Sequence, residues 1–108
     1  MEPQLQETAQ AFVQAVMAAC RQARAANQEP ALVAGLLRAG TGLGAAVCQA
    51  LYAPNPQEAR AAWEAAQESC GSCRQLLEQL RAAGGPESPE AEALCGELSR
   101  LLKGTQQA

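Results

Sequence analysis

Four prolines, Pro3, Pro30, Pro56 and Pro89, cut this chain into lengths that each carry one apolar stripe at helical spacing. Proline suits the first turn of a helix, where its missing N–H costs nothing, and disrupts the interior. Asn55 before Pro56, with Glu58 three residues on, reads as an N-cap with an acidic group facing the helix dipole. Ser88 before Pro89, followed by Glu90 and Glu92, repeats that logic. Stops are marked at Asn27-Gln28-Glu29, Tyr52-Ala53-Pro54, Ala83-Gly84-Gly85-Pro86 and Lys103-Gly104. The expected helices span 4–27, 30–52, 56–83 and 89–103, with no strand.

The stripes define the faces that must be buried. In the first helix the stripe is Leu5, Ala9, Phe12, Val13, Val16, Met17 and Cys20; in the second it is Val33, Leu36, Leu37, Gly40, Leu43, Val47 and Leu51. The third runs Ala59, Trp63, Ala66, Cys70, Cys73, Leu77, Leu80, with the alternating spacing of a coiled-coil seam. The fourth is Leu94, Cys95, Leu98, Leu101 and Leu102. Short connections favour antiparallel neighbours. The fold class is therefore all-α: one domain over 1–108, an antiparallel up-down-up-down four-helix bundle. The fourth helix is the short one, roughly 22 Å against about 42 Å for the third. An end of the third helix, with Ala59, Ala62, Ala65 and Ala66, should then be open to another subunit.

Composition narrows the functional classes. Aromatics are 3% of the chain and hydrophobic residues 48%, so the core is built from Leu and Ala. A net charge of -3 and a pI near 4.9 argue against a phosphate-binding surface. The opening Met1-Glu2-Pro3-Gln4 has no basic region followed by an apolar run, so no signal peptide is expected, and no uninterrupted apolar run approaches the roughly 20 residues of a membrane span. A cytoplasmic protein with reduced thiols is expected. With no His, and no two carboxylates on an apolar face, no catalytic constellation emerges; neither an enzyme nor a cofactor is expected.

Gly40-Thr41-Gly42-Leu43-Gly44-Ala45 formally fits the dinucleotide fingerprint, which works only between a strand and a helix start. Helical periodicity runs through it from both sides. Gly40 and Gly44, one turn apart, are instead expected to let a neighbouring helix come close. Cys70-Gly71-Ser72-Cys73 lies in mid-helix, away from the N-terminal dipole that activates a redox pair, so its thiols read as small core hydrophobes. Cys20, Cys73 and Cys95 fall at similar depths and offer an alternative, a soft Cu(I)-type thiol site that Cys48 cannot join. Arg60–Glu64, Arg74–Glu78 and Glu97–Arg100 have the spacing of surface pairs.

The second helix carries a resemblance. Leu36, Leu37, Arg38, Gly40, Thr41, Gly44, Ala45 and Ala50, with Leu43 and Val47 as apolar replacements, resemble the signature of the four-helix bundle protein family found within 23S rRNA intervening sequences. The likeness spans roughly residues 5–103 and is specific around 36–50. Ala39, Gly42, Ala46 and Gln49 stand where that family has serine, serine, asparagine and glutamate, so most of its polar pattern is missing. The resemblance implies a bacterial-type homo-oligomer, often a pentameric ring. A related protein is the accessory variability protein of diversity-generating retroelements, which partners a reverse transcriptase and nucleic acid. On this reading the chain is a self-associating adaptor with Arg38 and Thr41 as retained polar interaction residues. The rival is a nucleic-acid-binding accessory factor using Arg21, Arg24, Arg38, Arg74 and Arg81.

Overall fold

The structure, a computed structural model, describes residues 2–85 and 88–107, with side chains over 4–85 and 88–104. Four helices follow in order: α1 (Glu2–Ala25), α2 (Pro30–Leu51), α3 (Pro56–Ala82) and α4 (Pro89–Gln107). Among the described residues there is no strand. Each helix packs on its chain neighbours, α4 closes back onto α1, and the diagonal pairs barely touch. The result is an up-down-up-down bundle measuring 44 × 21 × 18 Å. Its length follows from α3, whose 27 residues span roughly 40 Å.

Local chemistry sets the helix ends. The Asn55 side chain accepts the Glu58 backbone N–H at 2.8 Å and caps α3. Asn27 sits left-handed at φ 59 just past α1. There Gln28 N–H reaches Ala23 O at 3.0 Å and Asn27 N–H reaches Arg24 O at 3.1 Å, the paired bonds of a Schellman turn. Gly84, at φ 85, ends α3 identically: Gly85 N–H bonds Leu80 O at 2.9 Å and Gly84 N–H bonds Arg81 O at 3.1 Å. A Cβ on Gly85 would lie 3.0 Å from Gln28 Cδ, so these two turns meet at one pole. Pro86, part of the expected stop, lies outside the described residues.

Two expectations need correction. Gly104 does not end α4, which continues to Gln107. A terminating glycine needs a left-handed backbone, and Gly104 has none. Nor do the alanines of α3 form an open flat end, because Ala62 and Ala66 are buried and Ala59 is half-buried. Of the four only Ala65 is exposed.

The core holds most of the expected stripes, from Leu5, Phe12 and Val16 through Leu36, Leu43, Val47, Leu77 and Leu80 to Leu98 and Leu102. Val13, Leu37, Leu51, Trp63 and Leu94 lie at its edge, and Met17 is exposed. Ala62 and Ala91 are buried although neither belonged to a stripe.

Candidate functional site

The glycine-rich segment of α2 is continuous helix, so its backbone amides are engaged along the helix and no phosphate-cradling turn opens there. Gly40 is buried, and a Cβ there would lie 2.7 Å from Val16 Cγ1. At Gly44 it would lie 2.8 Å from Val13 Cγ2. Both separations are below what real Cβ atoms tolerate, so the two glycines admit the α1 valines against the α2 backbone. Gly42 is different, its nearest neighbour being Ser69 Oγ at 3.8 Å.

α2 presents two seams. Val33, Leu36, Gly40, Leu43, Val47 and Ala50 face inward and are all buried. Ala31, Ala34, Arg38, Thr41, Ala45, Cys48 and, just past the helix, Tyr52 follow the same alternating three–four spacing and are all exposed. Tyr52 is 72% exposed. The Thr41 hydroxyl donates to Leu37 O at 2.9 Å or Arg38 O at 3.2 Å, which leaves the methyl group for outward contact. Arg38 is the single charge in the 22 residues of the helix. Arg38 interrupts the apolar run, but taken as a whole α2 is by length and composition apolar enough to cross a membrane, and only about one third of its most apolar stretch is buried. Beside the outer seam, Val13, Gly44, Ala45, Val47, Cys48 and Leu51 help line an open groove of about 700 Å³ between α1 and α2.

The thiols make a second cluster. Cys20, Cys70, Cys73 and Cys95 are buried and Cys48 is exposed. Cys70 Sγ and Cys95 Sγ are 3.6 Å apart across α3 and α4, and each sulfur is 3.4 Å from the other residue's carbonyl oxygen. Cys20 Sγ turns away to Val33 O at 3.7 Å. Among the described residues no three metal-ligating side chains are placed to hold an ion, so the alternative thiol metal site of Cys20, Cys73 and Cys95 is not formed, although these thiols are neighbours in the core. Periodicity put all four thiols inside but could not show that Cys70 meets Cys95. That depends on how far α3 and α4 are staggered along their axes.

Electrostatics separates the pair. The hydrogen bond from Cys70, and then the Arg74 guanidinium, hold the Cys95 thiol below the usual thiol range. The same bond, together with burial, drives Cys70 the other way. Burial, then the charges of Cys95 and Cys20, push Cys73 up to about 12. Burial also raises Cys20. Arg74 thus serves Cys95. The salt bridges among the described residues are Arg81–Glu92 at 2.8 Å, joining α3 to α4, and Arg100–Glu97 at 3.9 Å.

The chain matches no protein-family model, no curated protein and no solved structure.

Proposed function

We propose that the chain is a non-enzymatic, self-associating adaptor that closes into a homo-oligomer through the outer seam of α2. One observation carries this reading: seven exposed positions at coiled-coil spacing, Ala31 to Tyr52, that hold a single charge. A helix facing solvent is normally polar on that side, whereas this one is patterned as a seam. A second copy suits it because small residues let backbones approach and the adjoining groove accepts side chains. Arg38 then plays the part of the lone polar group that fixes register in such a seam. The resemblance of 36–50 to the ring-forming bundle family adds weight and suggests a ring of five. So sparse a charge favours a protein partner over nucleic acid, whose affinity comes from neutralising phosphates.

Light scattering at micromolar concentration tests the reading. The expected mass is a multiple of the 11.2 kDa chain. Ala45→Glu should reduce it to one chain with unchanged helicity, and Ala93→Glu, on the exposed side of α4, should leave it intact. A single-chain mass for the unaltered protein, with or without binding to lipid vesicles, sinks the proposal. Retention on single-stranded nucleic acid at low salt would support the accessory-factor reading instead.

A further inference from the structure

We propose that Cys70 and Cys95 form a peroxide-reactive dithiol that closes to a disulfide between α3 and α4. The sulfurs lie 3.6 Å apart in the bundle interior and face each other across two antiparallel helices. Closing them to the S–S bond length of about 2.05 Å needs a relative movement of roughly 1.5 Å, within reach of side-chain rotation and slight backbone adjustment. Each thiol also lies against the opposite backbone carbonyl at 3.4 Å, so the two helices are already in close contact at this level.

A second feature falls at the same place. Gly71 and Gly96 directly follow Cys70 and Cys95, both lie inside helices, and a Cβ on either would meet nothing within 4 Å. Packing therefore does not require them, although each weakens its helix by about 1 kcal/mol relative to alanine. They loosen the backbone beside both sulfurs and give it the freedom that closure uses. Local opening at such points admits a small neutral oxidant to buried groups. Hydrogen peroxide is of that size.

The two sulfurs are also unequal. Cys95, beside exposed Arg74, is the thiol more readily ionised, and the thiolate is the nucleophile. Its sulfur attacks one peroxide oxygen, the O–O bond breaks, and hydroxide leaves to take up the Cys95 proton as water. Cys95 is then a sulfenic acid. The Cys70 sulfur attacks Cys95 Sγ, the S–O bond breaks, and the departing hydroxide takes the Cys70 proton as a second water. Two thiols and one peroxide have become one disulfide and two waters, with two electrons passed from sulfur to oxygen. The resolving sulfur is already in place, which favours the disulfide over further oxidation.

Peroxide treatment of the full chain, followed by alkylation and mass spectrometry, tests this. Expected are the loss of two hydrogen atoms, the withdrawal of two of the five thiols from alkylation and a Cys70–Cys95 crosslinked peptide. Cys70→Ala and Cys95→Ala should each abolish the crosslink while circular dichroism still reports helix, and Cys48→Ser should keep it. Oxygen addition without a crosslink, or a crosslink joining any other pair, overturns the assignment.

Discussion

At the scale of single residues, the glycines separate into two kinds that composition alone does not distinguish. Gly40 is held against Val16, so Gly40→Ala must displace a β-branched side chain that has little rotamer freedom. Overpacking of this sort costs about 1–3 kcal/mol, more than the roughly 1 kcal/mol of helix propensity that alanine returns. Denaturant unfolding should show Gly40→Ala destabilised. Gly71→Ala meets open space and should be stabilised by up to about 1 kcal/mol in the same experiment. Asn55→Ala removes the acceptor of the Glu58 N–H and should cost about 1 kcal/mol. If Gly40→Ala proved as stable as Gly71→Ala, the close approach of α1 to α2 would be wrong.

The helices themselves were largely legible, because their ends are written in local chemistry. Pro30, Pro56 and Pro89 begin helices, and Asn27 and Gly84 end them through left-handed turns. Gly104 departs from expectation for the complementary reason: a glycine permits a stop but does not force one, and α4 continues through it. The inner seam of α2 was also readable, since burial follows a period set by the helix alone. The outer seam is not legible in the sequence because Ala, Thr and Cys carry weak hydropathy, and its meaning depends on all seven positions being exposed together. Cys70 and Cys95 were harder still, 25 residues apart and brought together only by the stagger of α3 against α4. At this scale the Arg81–Glu92 bridge looks like a clamp between α3 and α4, yet its side chains are 50% and 32% exposed. Such pairs contribute about 0–1 kcal/mol. Arg81→Ala should therefore move the unfolding midpoint little, and less at high salt, where the pair is screened.

For the whole molecule, the buried thiols link stability to pH. Cys73 has an ordinary pKa of 9.0, which burial and its charged neighbours lift to about 12 in the folded state. A raised folded pKa means that the unfolded chain gives up this proton first. The stability it contributes is complete below 9.0 and is lost as the pH climbs through the folded value near 12. While only the unfolded thiol is ionised, one such group tilts the unfolding free energy by about 1.4 kcal/mol per pH unit. Cys20 and Cys70 tilt it in the same direction, and Cys95 opposes them at lower pH. Urea unfolding between pH 9 and 11 should thus show stability falling as pH rises. Cys73→Ala should be less stable near neutrality, because it leaves a small cavity, and should show a shallower slope above pH 9. Equal slopes for the two proteins would mean that the Cys73 thiol is not held neutral in the core, and that the bundle interior is wetter around its sulfurs than the packing of Phe12, Leu36 and Leu98 implies.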